Sequence, residues 1–331
     1  MMERKIKLGI VGFGRIVELV HLPLIKRLPE IEVSGVHDIT EQRQALAAKR
    51  GFHTLDSLDD LLASDADIIL VSTPPNSHYA IANQALHSGK HVIIEKPVTV
   101  TYEEASSLLK TSEQVGRFVT VFQNRRYDPD FKLVKRVLDE GTIGDILFVE
   151  RRHHMFGSGA TFGVKSFHEG WRNTTEYGGG ALFDWGVHLI DQLLQLKLGT
   201  VREISSFMHC YDWDQNQVDD YARANIVLDN NIILNMEVNF GSLAAAPMWV
   251  VGGDKGTVIV VSPSEAYVLE KGKQPEPLVL EPVSRESALP IYQSVCDHLL
   301  RDGPLAVTLP EAVDSMRILE EISRNRQSHR S

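Results

Sequence analysis

Cysteine is nearly missing from this chain of 331 residues. Only Cys210 and Cys296 occur, a pair without metal-ligand spacing and too few for a disulfide framework. Basic residues are also short, 34 against 44 acidic ones, and the net charge of −10 disfavours a protein built as a whole to hold nucleic acid or an anionic membrane. A local basic pocket remains compatible with that balance. No apolar run reaches the length of a membrane span, and Met1-Met2-Glu3-Arg4-Lys5 passes straight into a strand-like segment. Neither a signal peptide nor a transmembrane helix is therefore expected, and the cytoplasm is the expected location. The hydrophobic content of 43% excludes a disordered or fibrous class, and the length suits about two domains, each with its own core.

From Ile6 to about Gln123, short apolar runs alternate with helical patterns, which predicts a parallel sheet with helices on both faces. The strand candidates are Ile6 to Val11, Glu32 to His37, Asp67 to Ser72, His91 to Glu95 and Phe118 to Gln123. Helices are signalled by Thr40 before Glu41 to Arg50, by Ser77 to Ser88, and by Thr101 with Glu104 as a capping box. The turn after the first strand, Gly12-Phe13-Gly14-Arg15-Ile16, matches the first two glycines of a dinucleotide fingerprint, while Val17 stands where the third would be. Such glycines allow a tight turn and a close approach of the pyrophosphate to a helix N-terminus. Asp38, at the end of the second strand, suits a ribose 2′-hydroxyl and repels a 2′-phosphate, so NAD is expected in preference to NADP. Two more loops stand at carboxyl ends of strands, where open α/β sheets bind ligands. One is Thr73-Pro74-Pro75-Asn76-Ser77-His78, readable equally as a plain turn into a helix. The other is Glu95-Lys96-Pro97, where the proline holds a lysine rigidly at the sheet edge.

The pattern changes after Arg125-Arg126-Tyr127. Asp128-Pro129 opens a helix that runs to Gly141. Strand-like segments follow at Ile146 to His153, Val201 to Tyr211, Tyr221 to Leu228, Ile232 to Phe240, Met248 to Val251, Thr257 to Val261 and Tyr267 to Leu269, with short connections that predict a mostly antiparallel sheet. Leu234, Met236, Val238 and Phe240 alternate with Asn235, Glu237 and Asn239, giving one face for helices and one polar face. A last helix is expected from about Pro310 to Arg324, before a polar tail. Within this half, Gly178-Gly179-Gly180 leads into an apolar helix in which Asp184, His188, Asp191 and Gln195 step by four, three and four and so share one stripe. The stripe reads either as hydrogen-bonded core groups or as a pocket wall, with the glycines letting a ligand approach the backbone. A Gly-rich loop between Met155 and Tyr177, carrying Phe156, Lys165, Phe167, His168, Trp171 and Arg172, is expected at the pocket mouth.

Taken together, Gly12-x-Gly14 with His21, Thr73-Pro74-Pro75-Asn76-Ser77-His78, Glu95-Lys96-Pro97, and Gly178-Gly179-Gly180 running into Asp184-x-Gly186-x-His188-x-x-Asp191 resemble the Gfo/Idh/MocA family of NAD(P)-dependent sugar and cyclitol dehydrogenases. The resemblance implies an N-terminal Rossmann domain, residues 1–125, and a C-terminal α+β substrate domain with a large, mostly antiparallel open sheet, residues 126–331. It implies Lys96, Asp184 and His188 as the catalytic set and a cis Lys96-Pro97 peptide. Cofactor contacts are expected from Gly12, Phe13, Gly14, Arg15, Ile16, Asp38, Thr73, Pro74, Asn76, His78, Glu95 and Lys96. Substrate contacts are expected from Lys96, Gln123, Arg125, Trp171, Arg172, Asp184 and His188. Trp171 and Arg172 resemble a position bordering nicotinamide and substrate, and a homodimer or homotetramer through the open sheet face is expected.

The expected activity is oxidation of a secondary alcohol of a sugar, sugar derivative or inositol, with hydride passing to NAD and the proton handled by Lys96 and His188, either of which can be the base. Redox-assisted glycoside cleavage uses the same constellation, and a sugar-sensing protein that kept the fold is the non-enzyme alternative. A metal enzyme built on Asp184, His188 and Asp191 is disfavoured because no further ligand pattern accompanies them.

Overall fold

The computed structural model describes residues 4–157, 170–211, 213, 218–284 and 286–324; the loop residues Lys165, Phe167 and His168 lie outside them. The chain divides into two compact units. The first is built on a five-stranded parallel sheet in the order β2-β1-β3-β4-β5, comprising β1 (Ile6–Val11), β2 (Ile31–His37), β3 (Ile68–Val71), β4 (His91–Ile94) and β5 (Val119–Val121). Every residue of β3 is buried, because helices cover both faces of such a sheet and its central strands carry continuous apolar runs. The helices of this part are α1 (Leu22–Ile25), α2 (Glu41–Lys49), α3 (Leu58–Ala63), α4 (His78–His87) and α5 (Tyr102–Val115). α5 begins with the expected capping box: the Thr101 hydroxyl accepts from Glu104 N at 3.1 Å while Glu104 reaches back to Thr101 N. Ser57 caps α3 by accepting from Asp60 N. The chain leaves β1 toward β2 on one side and returns to β3 on the other, so the strand order switches beside β1, where ligand crevices form.

The second unit carries an eight-stranded sheet ordered β13-β12-β11-β10-β6-β9-β8-β7. Its elements in chain order are α6 (Pro129–Asp139), β6 (Ile146–His154), α7 (Val187–Gln195), β7 (Val201–His209), β8 (Tyr221–Leu228), β9 (Ile233–Asn239), β10 (Trp249–Gly253), β11 (Gly256–Ser262), β12 (Glu265–Glu270) and β13 (Glu276–Leu278). Neighbours are antiparallel except β6 with β9, which run parallel with Arg151 opposite Met236. The alternation along β9 is as the sequence predicts: Leu234, Met236 and Val238 are buried against helices, and Asn235, Glu237 and Asn239 face the other side. Each fully buried aliphatic side chain of this kind contributes about 1.5–3 kcal/mol. α6 packs on β10 and β11, and α7 on β6 and β9.

α8 (Leu289–Arg301) and α9 (Leu309–Arg324) close the described chain. α9 follows the expected range, whereas α8 was not anticipated. Residues 286–316 count with the first unit although the expected division at residue 125 assigned them to the second domain. The contacts behind this are specific: Thr120 of β5 donates to the Val307 carbonyl at 2.7 Å, and the Phe118 and His298 rings meet edge to face.

Candidate active site

The turn after β1 has the shape a dinucleotide needs. Gly12 has φ +88°, and a Cβ there would stand 2.6 Å from the Ser72 carbonyl oxygen, so only glycine fits. At Gly14 a Cβ would meet nothing within 4 Å, so its backbone lies open. Phe13 is buried while its N–H donates to Asp38 Oδ2 at 2.7 Å, and Asp38 Oδ1 accepts from Thr40 N and Thr40 Oγ1, both at 2.8 Å. The carboxylate is thus held at the end of β2, and Arg15 and Ile16, next along the turn, are exposed. Arg43 and Arg50, the basic groups that follow, pair with Glu18. An acidic group held there suits a ribose hydroxyl and opposes a 2′-phosphate. The helix beyond opens as a wide π turn, Val17–His21, with Val17 and His21 buried. Turns of this kind concentrate at functional sites and carry no composition signal, so the sequence did not reveal it.

Two loops stand at the same carboxyl edge. Thr73 and Pro74 are half-buried and Asn76 is exposed. His78, expected at the cofactor, is instead fully buried: its ring nitrogens lie 2.9 Å from the Pro97 carbonyl and 2.8 Å from the Thr73 carbonyl. It therefore braces one loop against the other from behind. The Lys96-Pro97 peptide is cis. Lys96 is half-buried, and its N–H donates to Glu95 Oε2 at 3.1 Å. Glu95 turns inward to His21 at 2.9 Å. Gln123, just beyond β5, is buried with its Oε1 lacking a hydrogen-bond partner among the described residues.

The second unit assembles the other residues. Asp184 belongs to a π turn, Leu182–Gly186, and α7 starts only at Val187, so the anticipated regular stripe is interrupted between Asp184 and His188. The glycines ahead of it are occupied by the chain itself. A Cβ on Gly179 would stand 2.2 Å from the Arg172 carbonyl oxygen, and one on Gly180, at φ +106°, would stand 2.4 Å from Asp219 Oδ1. Asp219 then holds the start of the turn, accepting from Leu182 N at 2.8 Å through its carboxylate and from Ala181 N through its carbonyl. That role was not legible, because Asp219 stands far along the chain. Arg172, in the 3-10 turn Trp171–Asn173, reaches Asp184 Oδ1 at 3.8 Å. His188 is buried, and the indole of Trp185 meets its ring edge to face. Trp185 also stacks on His153 at 3.4 Å and carries the Arg125 guanidinium over its ring at 4.7 Å. Burial, then the charges of Arg151 and Arg125, press His153 down from its ordinary 6.5 to about 3, so this ring is neutral.

Deeper along α7 the polar groups are structural. Asp191 accepts a bidentate pair from Arg126 at 2.8 and 2.7 Å, both residues buried. Gln192, which the stripe had omitted, donates to the Arg125 carbonyl and accepts from Arg151, while Arg151 and Trp249 share Asp130. Among the described residues no group of three or more His, Cys, Asp or Glu side chains could hold a metal ion.

A nucleotide turn of this form on a doubly wound sheet is a dinucleotide-binding arrangement, and the second unit sets Asp184 and His188 on a helix packed against an open sheet. Residues 6–123 match the model of the oxidoreductase family with an NAD-binding Rossmann fold, and residues 131–259 match the Gfo/Idh/MocA C-terminal domain. The chain belongs to the Gfo/Idh/MocA oxidoreductase family. It is 34% identical over 207 residues to an oxidoreductase of Schizosaccharomyces pombe, covering 61% of this chain and 54% of that one. The chain spans little more than half the length of the first curated relatives it matches. The NADP-dependent scyllo-inositol 2-dehydrogenase of Bacillus subtilis is 24% identical, over 98% of this chain and 95% of its own. An NAD-binding protein from Listeria innocua has the same fold at a TM-score of 0.86 and 29% identity, over 99% of both chains.

Proposed function

We propose that the protein is an NAD-dependent dehydrogenase that oxidises a secondary alcohol of a sugar, a sugar derivative or an inositol. One observation carries the reading: Lys96 stands in the turn leaving β4, at the same carboxyl edge as the Gly12–Gly14 turn leaving β1, with its backbone held by Glu95. The bound cofactor supplies the hydride acceptor. The chain has to hold the alcohol and take one proton from its hydroxyl. His188 takes it, since imidazole is the side chain that exchanges protons near neutral pH. The Lys96 ammonium donates a hydrogen bond to the same oxygen and stabilises its alkoxide character. Asp184, oriented by Arg172, accepts from a neighbouring hydroxyl. The scyllo-inositol 2-dehydrogenase relative, matching along nearly the whole chain, supports a polyhydroxylated ring as substrate.

The test is to mix the pure protein with NAD and a panel of sugars and cyclitols and follow reduced cofactor by absorbance. Lys96→Met and His188→Ala each lower kcat by about 10²-fold or more and leave NAD affinity largely intact. Silence across the panel with NAD bound, or loss of NAD affinity in both variants, would overturn the assignment. Release of an aglycone without net NADH would mark redox-assisted glycoside cleavage instead.

The polar face of the eight-stranded sheet supports a second proposal, a homodimer or homotetramer joined through it. Phe207 and Ile233 are exposed there, beside Glu237, which accepts from His154 at 2.6 Å and Tyr221 at 3.0 Å. The cytoplasm is the proposed location; among the described residues no helix is long and apolar enough to cross a membrane.

A further inference from the structure

Behind Lys96 the first unit holds a hydrogen-bonded chain that the proton-handling set does not use. His21 ends the π turn Val17–His21 and is fully buried. Its Nε2 lies 2.9 Å from Glu95 Oε1, and its Nδ1 lies 2.8 Å from the hydroxyl of Tyr292 on α8. The other carboxylate oxygen, Glu95 Oε2, accepts the Lys96 backbone N–H at 3.1 Å. The imidazole is fixed in its plane by the Phe122 ring at 4.3 Å and the Tyr292 ring at 5.9 Å. Tyr292 is itself fully buried. Three elements distant in sequence therefore converge on the residue that precedes Lys96.

The protons in this chain can be assigned from the partners. Burial pushes the Glu95 carboxyl up, but the His21 hydrogen bond and the charges of His21 and Lys96 outweigh it, and the net displacement is downward. Glu95 is a carboxylate and can only accept, so His21 Nε2 carries a hydrogen. Burial, reinforced by the charge on Glu95, pushes the Tyr292 phenol well above its ordinary range. It keeps its hydrogen, and the Tyr292 hydroxyl, the His21 ring and the Glu95 carboxylate form one hydrogen-bonded chain that ends on the Lys96 N–H. The Glu95 carboxylate is satisfied at both oxygens, by His21 and by the backbone N–H of Lys96.

We propose that Tyr292, His21 and Glu95 are positioning residues of the oxidoreductase reaction: they fix the Lys96 turn and hold the Glu95 carboxylate next to Lys96, where its negative charge favours the oxidised, cationic form of the cofactor over the reduced form. The proposal rests on the reading of Lys96 as facing the cofactor. The hydrogen bonding carries the geometry, and the charge is that of the Glu95 carboxylate.

The experiment measures Kd for NAD⁺ and for NADH with the full chain and three variants, Glu95→Gln, Tyr292→Phe and His21→Asn. Glu95→Gln removes the charge and keeps the shape, and raises the ratio Kd(NAD⁺)/Kd(NADH) by roughly fivefold to tenfold. Tyr292→Phe keeps the ring and the Glu95 charge and removes one hydrogen bond to His21, so both affinities weaken while the ratio stays near that of the unaltered protein. A structural role alone weakens both affinities alike and leaves the ratio fixed, and that result in a folded Glu95→Gln protein overturns the proposal. The ¹⁵N spectrum of histidine-labelled protein, with His21 identified by its loss in His21→Asn, gives a second readout without cofactor or substrate. A hydrogen on Nε2 is expected, and a bare Nε2 overturns the hydrogen bond to Glu95 on which the proposal stands. Failure of the dehydrogenase reading would look different: no NADH from any sugar, with the affinity ratio and the Nε2 hydrogen as expected.

Discussion

His153 illustrates how one residue's environment becomes a property of the protein. Its ring is stacked on Trp185 and stays neutral, with burial, then Arg151 and Arg125, pressing it down from 6.5 to about 3. Between those two values the unfolded chain binds a proton that the folded chain does not, so folding stability from this group is intact above 6.5 and falls as the pH drops below it. By pH 5 the loss reaches about 2 kcal/mol from this ring. His153→Phe, which retains the stacking, is expected to flatten that part of the profile in denaturant titrations between pH 7 and 5; an unchanged profile would mean the ring is solvated. Carboxyls such as Glu95, displaced downward, act at lower pH, where protonation removes their stabilisation. Gly179 and Gly180 make the same point sterically. The sequence suggests that they let a ligand approach the backbone, whereas the Arg172 carbonyl and Asp219 stand against them instead.

At the scale of the element, α7 is held from its buried side by polar groups. Arg126 and Asp191 form a two-pronged ion pair, and Gln192 links Arg151 to the turn that carries Arg125. Removing one partner leaves an uncompensated buried charge, so Asp191→Ala is expected to cost about 3–5 kcal/mol in chemical denaturation and to lower kcat by loosening His188. Replacing both, as Arg126→Met with Asp191→Leu, should restore much of the stability. A near-neutral Asp191→Ala would show that the pair is not what anchors the helix. The sequence spacing picked out Asp191 as a polar residue on an apolar helix, and its support role is compatible with that spacing. Neither Arg126 nor the interruption at Leu182–Gly186 was legible. An ion pair across 65 positions has no local pattern, and a single π turn differs from an α turn only in its hydrogen bonding.

At the scale of the whole molecule, the open sheet face carries the proposed assembly. Phe207 is opposite Arg223 and Ile233 opposite Val227, so both exposed side chains stand in rows shared with neighbouring strands. The double substitution Phe207→Asp with Ile233→Asp is expected to convert the oligomer to a monomer in sedimentation velocity while each unit stays folded; a wild-type monomer would remove the proposal. The sequence by itself determined the five strands of the first sheet and seven of the eight of the second, because apolar alternation and continuous apolar runs are set by which faces are covered; the short edge strand β13 has neither. It determined the nucleotide turn as well, since glycine at residue 12 and an acid at 38 are local requirements. Only the tertiary structure decided that residues 286–316 belong with the first unit, that His78 braces two loops, and that Tyr292, His21 and Glu95 form one chain. Those facts depend on side chains that meet across long sequence separations inside a packed core, where the partner, not the spacing, fixes what a polar residue does.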